Sequence, residues 1–197
     1  MDTLRILDVV GFVVGLIYLW LEYKASIWLW LASIVMPAVD MFLYYNAGLY
    51  ADFGMAVYYC IAGVYGFIAW KFPRGTSSAV SGAQAELPVS RYPLRAVLPS
   101  ALVFLLLWGG IYLILTHFTN STVPVADAFT TALSILALWA LSRKYAEQWL
   151  LWLVVDMVCV ALYVYKGIPF KAAIYALYCL VAVAGYRKWL RMIELER

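Results

Sequence analysis

Long apolar stretches separated by short polar segments fill almost the whole chain. A helix needs about 20 predominantly apolar residues to cross a bilayer. Seven stretches have this character, at roughly 4–22, 26–45, 53–71, 95–116, 127–142, 148–165 and 170–189. The first begins with charged residues and has no small-residue cleavage site, which is typical of a retained span rather than of a signal peptide. The pattern therefore predicts an all-α integral membrane protein with seven transmembrane helices.

The apolar pattern occurs twice along the chain. When the sequence is shifted by 119 positions, residues 8–70 align with residues 127–189 without a gap, and 15 of the 63 aligned positions are identical. Shared hydrophobicity does not explain the tryptophan and glycine identities, which are Trp20/Trp139, Trp30/Trp149, Trp70/Trp189, Gly48/Gly167 and Gly66/Gly185. The chain is therefore predicted to contain a duplicated three-helix unit. Internal repeats of this kind are typical of membrane transporters.

The order of the helices predicts how the two units are arranged. A unit of three helices would insert upside down if a second copy followed directly, and the unmatched fourth helix restores the direction. We therefore predict two parallel three-helix bundles joined by a linker helix, a 3+1+3 architecture. The first bundle covers 1–71, a cytoplasmic loop, linker helix and outer loop cover 72–126, and the second bundle covers 127–197. A substrate is expected between the triplets near the bilayer midplane.

Composition and charge fit this picture and add an orientation. Hydrophobic residues make up 66% of the chain and charged residues 13%, which is outside the range of soluble domains. Eleven lysines and arginines lie on the side of the predicted C-terminus and three on the other side. Cytoplasmic loops carry the excess of these residues, so the N-terminus is predicted outside and the C-terminus in the cytoplasm. This bias accounts for the net charge of +3, and no nucleic-acid partner is needed.

Helix 6 carries the main candidate site. Trp149, Trp152 and Asp156 lie at i, i+3 and i+7 and share one helical face. A carboxylate near the middle of a span costs about 3 kcal/mol on insertion scales, so Asp156 is expected to face a polar cavity. Two indoles and an anion suit a flat cationic heterocycle. An interfacial aromatic belt is the alternative role for the tryptophans, and hydrogen bonding between helices is the alternative for Asp156.

The first unit and the flanking helices supply further candidates. Trp30, Ser33 and Pro37 are the repeat counterparts of the helix 6 residues, and Pro37 is expected to kink or loosen its helix. Asp40 and Tyr44 continue that face, although a role at the outer rim fits Asp40 equally well. The remaining candidates for substrate contact are tyrosines on helices 3, 6 and 7, namely Tyr59, Tyr163 and Tyr178.

Several classes of function lack their sequence signals. The chain has no GxxxxGK[ST] motif for ATP-driven pumping and no converging Ser/His/Asp set, so neither a pump nor an enzyme is expected. His117 is the only histidine, and the three cysteines lie within predicted spans, which does not support a metal site or a disulfide framework. A retinal protein would need a lysine in the middle of the last helix, whereas Lys171 and Lys188 lie at its two ends. No cofactor is expected.

Five short motifs stand out along the chain: Gly48 to Asp52, Tyr65 to Trp70, Arg143-Lys144-Tyr145 followed by Glu147 to Trp152, Tyr163 to Gly167, and Gly185 to Trp189. Together they resemble the motifs of the PnuC family of vitamin transporters. The resemblance covers nearly the whole chain except 72–93. It implies a 3+1+3 fold related to SWEET sugar carriers and a homotrimer in the bacterial inner membrane. It also implies facilitated diffusion of an unphosphorylated vitamin that a cytoplasmic kinase then traps.

The resemblance also bears on the substrate. Family members that carry nicotinamide riboside are similar in having WxxWxxxN on helix 6, where this chain has Asp156, and a Gln and an Asn on helix 3, where it has Ala56 and Gly63. The thiamine-type PnuT subgroup has WxxWxxxD. A riboside has hydroxyls that call for amide partners, and the amides of this chain all lie near or outside the ends of the spans: Asn46, Gln84, Asn120 and Gln148. The sequence therefore favours thiamine, with nicotinamide riboside as the alternative.

Two other functions remain open at this level. An ion-coupled carrier is possible because Asp40 and Asp156 can titrate within the membrane. A membrane receptor or assembly scaffold without transport is the second alternative. Flux through liposomes, with and without an ion gradient, distinguishes these functions from facilitated diffusion.

Overall fold

The computed structural model describes residues 14–46, 50–72, 87–119, 121–167 and 169–195. This part of the chain contains seven helices: α1 Val14–Tyr23, α2 Trp28–Asn46, α3 Tyr50–Lys71, α4 Leu94–Phe118, α5 Pro124–Ser142, α6 Gln148–Tyr165 and α7 Pro169–Leu195. Among the described residues the only strand-like pairing is an isolated bridge between Ser90 and Tyr145. The predicted all-α fold is therefore confirmed.

The boundaries of α2 to α7 follow the predicted apolar stretches to within a few residues, with two informative differences, whereas the predicted start of the first stretch lies outside the described residues. Helix α5 begins at Pro124, three residues before the predicted stretch, because a proline in the first turn has no backbone N–H to leave unpaired. Helix α7 continues beyond the predicted stretch to Leu195. Within the described ranges, α4, α5 and α6 are long and apolar enough to cross a membrane. The full count of seven spans stays a prediction.

The described chain divides into two compact units, 1–88 and 89–197. Helices α2 and α3 pack together in the first unit, whereas α4, α5, α6 and α7 pack in sequence in the second. Helix α4 is attached to α5 by a three-ring cluster of Phe104, Trp108 and Phe129, whose centroids lie 5.5–5.8 Å apart. The Trp108 indole N–H also donates to the carbonyl of Val125 at 3.1 Å. The three-part domain division and the parallel 3+1+3 arrangement stay predictions.

The duplication is visible in the backbone of the turn between the first two helices of each sequence repeat, which are α1 and α2 in the first repeat and α5 and α6 in the second. Ala25 has φ 54° and its repeat counterpart Lys144 has φ 52°. The hydrogen bonds of this turn also match, because Ser26 N–H donates to Leu21 C=O at 2.9 Å and Tyr145 N–H donates to Ala140 C=O at 3.1 Å. Such a bond closes the carboxyl end of a helix around a left-handed residue. Neither unit uses glycine there, at a cost of about 1–2 kcal/mol.

A tryptophan pair is repeated in the core of each unit. Trp30 meets Trp70 edge to face, with centroids 5.5 Å apart and planes at 89°. Trp149 meets Trp189 in the same way, at 5.9 Å and 90°. All four side chains are buried. These edge-to-face contacts explain why the tryptophans are identical in the two repeats.

The glycines conserved between the repeats provide the space for these rings. A Cβ placed at Gly185 would lie 2.5 Å from Cε2 of Trp149, and a Cβ at Gly66 would overlap the ring of Trp30. Close approach of backbone and ring therefore requires glycine at both positions.

Candidate functional site

A stripe of three residues on α6, which we call the α6 stripe, distinguishes the second unit from the first. Gln148, Trp152 and Asp156 lie at i, i+4 and i+8, so they project from one side of the helix over about 12 Å. Gln148 is fully buried, Asp156 is 6% exposed and Trp152 is half-buried. Within the described residues, the Gln148 amide atoms and the Trp152 indole nitrogen are buried without a hydrogen-bond partner. The buried indole nitrogens of Trp30 and Trp149 also lack a partner there, so the Gln148 amide is what distinguishes the stripe.

The repeat shows that folding does not require these polar groups. The counterparts in α2 are Leu29, Ser33 and Pro37, and Leu29 is as fully buried as Gln148. Ser33 satisfies its hydroxyl locally by donating to the carbonyl of Trp30 at 2.9 Å. A buried polar group without a partner costs about 1–3 kcal/mol. Since an apolar or locally satisfied residue serves the fold at the same positions, the α6 stripe is a candidate for ligand binding.

Tyrosines of α6 and α7 form an aromatic row beside the α6 stripe. Tyr163 stacks on Tyr175 with centroids 5.3 Å apart and planes at 22°, and Tyr175 meets Tyr178 edge to face at 5.6 Å. Tyr178 and Cys179 both interact electrostatically with Asp156. Tyr178 was predicted to contact substrate from sequence, and the structure places it within electrostatic range of Asp156. Aromatic faces next to an anion form a suitable environment for a flat cation.

Trp149 and Trp30 take a different position from the α6 stripe. They are 2% and 1% exposed and are packed against the glycines of their units. This packing is sufficient to account for both residues, and their predicted contact with substrate stays a prediction. The structure therefore separates Trp149 from Trp152, which the sequence had grouped on one face.

The predicted residues of the first unit are only partly brought together. Pro37 lies inside α2, which continues through it to Asn46. Because proline has no N–H, the carbonyl of Ser33 lacks its usual helical donor. Tyr59 is 42% exposed and pairs with Tyr58 at 5.5 Å.

Two further residues of α2 were predicted to contact substrate. The Asp40 and Tyr44 side chains lie outside the described residues, and their roles stay predictions.

Sequence reasoning set aside Gln148 and did not commit to Tyr175. Gln148 lies at the first position of α6, and its place in the sequence had grouped it with the amides near or outside the ends of the spans. In the structure its side chain is fully buried. The available signal was the repeat itself, because an amide replaces Leu29 in a position of equal burial.

The turn before α6 is held by a short segment that we call the strap, residues 89–93. Ser90 N–H donates to Lys144 C=O at 3.0 Å, and Ala146 N–H donates to Ser90 C=O at 2.9 Å. These two bonds fasten the strap to the α5–α6 turn. Part of the motif that carried the family resemblance thus serves to dock the strap.

Glu147 is the main side chain in this docking. Its carboxylate accepts from the Tyr92 N–H at 2.7 Å and from Arg91 at 3.1 Å. Arg91 also donates to the Tyr186 hydroxyl of α7 at 3.1 Å. The hydrogen bonds to Glu147 and Tyr186 raise the pKa of Arg91. The strap therefore links the amino-terminal end of α4 to both helices that carry the candidate site.

Comparison with known proteins identifies the family of the chain. The family model described as nicotinamide mononucleotide transporter matches residues 5–191, nearly the whole chain. The chain belongs to this family. Its relatives include the nicotinamide riboside transporter PnuC of Escherichia coli, which is 23% identical over 93% of this chain and 84% of the relative. The riboflavin/roseoflavin transporter RibM of Streptomyces davaonensis is 28% identical over 92% of this chain and 83% of the relative.

A solved structure supports the fold. The crystal structure of the vitamin B3 transporter PnuC superimposes with a TM-score of 0.67 at 22% identity, covering 94% of this chain and 80% of that chain. The predicted membership of the PnuC family is therefore confirmed, and the protein is a membrane transporter of the vitamin-carrying type. The predicted thiamine-type subgroup has no support from these relatives, which are named for nicotinamide riboside and riboflavin.

Proposed function

We propose that this protein carries nicotinamide riboside across the bacterial inner membrane by facilitated diffusion. A cytoplasmic kinase then phosphorylates the vitamin and makes uptake one-way. The α6 stripe beside the tyrosine row carries the proposal, because a buried carboxylate flanked by aromatic rings fits a fixed pyridinium cation. The riboside now replaces thiamine as the leading candidate, since named riboside transporters align over nearly the whole chain.

The charge of the site supports an unphosphorylated substrate. Helix α6 contains Asp156 and has no lysine or arginine between Gln148 and Tyr165. A phosphate group close to Asp156 would place two like charges in a medium of low dielectric, which is strongly unfavourable. The mononucleotide is thus a poorer fit than the riboside.

The same charge distinguishes the riboside from riboflavin. The isoalloxazine ring of riboflavin is neutral and gains nothing from a buried carboxylate. A cationic ring offsets the cost of keeping Asp156 ionised inside the protein. We therefore place riboflavin behind nicotinamide riboside, and thiamine, also a cation, is the comparison that matters most.

The test is counterflow of labelled nicotinamide riboside, thiamine and riboflavin into liposomes that contain the purified protein. We expect riboside flux that does not respond to imposed proton or sodium gradients. Asp156→Asn should weaken binding of the cationic ring about tenfold or more, and Trp152→Ala should weaken it by a similar factor. Trp28→Ala is the matched control, because Trp28 is 61% exposed on α2.

Each competing function has its own result. Thiamine flux without riboside flux would return the substrate assignment to thiamine. Flux that follows an ion gradient would indicate a coupled carrier. Absence of flux for all three vitamins would favour a receptor or scaffold. The homotrimer and the orientation with the C-terminus in the cytoplasm stay predictions of the family resemblance and of the charge distribution.

A further inference from the structure

We propose that Gln148 is a specificity-determining residue that hydrogen-bonds the hydroxyl groups of the transported vitamin. The inference rests on the proposed transport function and adds a second recognition element to the carboxylate of Asp156. It assigns the sugar of the substrate to the amino-terminal end of α6 and the cationic ring to the middle of the helix.

The first support is the state of the amide. Gln148 is 0% exposed, and both its Oε1 and its Nε2 are buried without a hydrogen-bond partner among the described residues. A primary amide has two donor hydrogens and an acceptor oxygen with two lone pairs. Buried amides in native proteins are almost always bonded to protein or to water. The amide therefore has bonding capacity for a group that reaches it when the side chains packed over it move.

The second support is the repeat. Leu29 occupies the matching position of the first unit and is equally buried. The same turn precedes both residues, since Leu29 N–H donates to Ser26 C=O and Gln148 N–H donates to Tyr145 C=O. An apolar side chain is thus compatible with this local fold. The amide is an addition that only the second unit carries.

The third support is the position of the amide relative to the rest of the site. Gln148 lies on the same side of α6 as Trp152 and Asp156, one turn and two turns away. The separation of about 12 Å along the axis is on the scale of a nucleoside lying along the helix. Trp152 lies between the two polar ends, where an aromatic ring of the substrate can stack.

The chemistry of the amide selects a class of substrate. A hydroxyl both donates and accepts, which matches the donors and the acceptor of an amide. The carboxamide of nicotinamide does so as well, and a ligand that keeps the carboxamide and lacks the sugar distinguishes the two partners. Asp156 recognises charge and Gln148 recognises hydroxyls, so together they favour a cation that carries a sugar. Vitamins with a cationic ring and few hydroxyls gain less from this pair.

The experiment compares two ligands on two variants of the full-length protein. Nicotinamide riboside has the ring and the sugar, and 1-methylnicotinamide has the same cationic ring without the sugar. Gln148→Met keeps the length of the side chain and removes the amide, and Gln148→Leu introduces the residue found at position 29. Dissociation constants are measured in detergent by calorimetry, with the thermal midpoint of each unliganded variant as a check of folding.

We expect both variants to bind the riboside about tenfold more weakly, which is equivalent to about 1.4 kcal/mol. Binding of 1-methylnicotinamide should change less than twofold, and the thermal midpoint should be unchanged or higher because an unsatisfied group has been removed. Equal weakening of both ligands, or no weakening of either, would overturn the role of Gln148, and the second result would indicate that the amide is satisfied by trapped water. Riboside binding by the wild-type protein tests the proposed function separately, and its absence would overturn both.

Discussion

Replacing Gly185 by alanine tests the repeated tryptophan–glycine packing most directly. The added Cβ would lie 2.5 Å from Cε2 and 2.7 Å from Cδ2 of Trp149. Carbon atoms in contact are about 3.5–4.0 Å apart, so the ring or the helix has to move by about 1 Å. The ring has little room, because Trp149 is 2% exposed and abuts Trp189 at 5.9 Å.

The magnitude follows from two opposing contributions. Overfilling a packed core costs about 1–3 kcal/mol. Replacing glycine by alanine within a helix returns up to about 1 kcal/mol. The net effect is a loss of up to about 2 kcal/mol, which for a chain of this size lowers the thermal midpoint by up to about 8 °C. A movement of α6 also displaces Trp152 and Asp156, so substrate affinity should fall with stability.

Gly109→Ala is the matched control. Gly109 lies inside α4, and a Cβ built there has no neighbour within 4 Å. The Gly109→Ala variant gains only the higher helix propensity of alanine, so its thermal midpoint should rise by about 2 °C or stay constant. The assay is thermal unfolding of the purified variants in one detergent. Adding Trp149→Phe to Gly185→Ala should recover at least half of the stability lost through Gly185→Ala, because the smaller phenylalanine ring leaves room for the added Cβ.

The reasoning would be refuted by a Gly185→Ala protein as stable as Gly109→Ala. It would also be refuted if Trp149→Phe and Gly185→Ala acted additively. Either result would mean that the close approach of the glycine backbone to the indole does not limit the packing of α6 on α7.

Three further predictions follow from the turns, the strap and the charge distribution. Ala25→Gly should change the thermal midpoint by less than about 2 °C from the wild-type value, because relief of the left-handed backbone offsets the lost methyl group. Ala101→Gly, at an exposed position of α4, is the control and should lower the midpoint by about 2–4 °C. Glu147→Ala should cost about 2 kcal/mol of folding free energy, because it removes the acceptor of the Tyr92 N–H. Arg91→Ala should cost clearly less, because its ion pair with Glu147 is exposed and screened; equal losses in thermal unfolding would contradict this assignment. A fluorescent-protein fusion at the C-terminus should fluoresce and an alkaline phosphatase fusion there should be inactive, and the opposite pattern would invert the predicted orientation.

The sequence by itself determined the helices, the duplication and the family. Apolar length is sufficient to locate membrane helices because a bilayer has a fixed thickness. The in-register identities at positions such as Trp30/Trp149 and Gly66/Gly185 established the repeat without any structure. The buried acid at Asp156 was also evident, because a carboxylate inside an apolar span is costly wherever the helix packs.

Only the tertiary structure decided which faces of the helices are buried. In a soluble protein the polar face of a helix reveals its exposed side, whereas a membrane helix is apolar both toward lipid and toward its neighbours. Periodicity therefore placed Trp149 with Trp152, although Trp149 fills the space above Gly185 and Trp152 lies on the α6 stripe. Gln148 was set aside because its burial was not evident from its position at the start of α6. The strap docks on the neighbouring turn through contacts between residues more than 50 positions apart. Long-range contacts of this kind are not encoded in the local apolar pattern, because they join segments that are far apart in sequence and meet only when the helices pack.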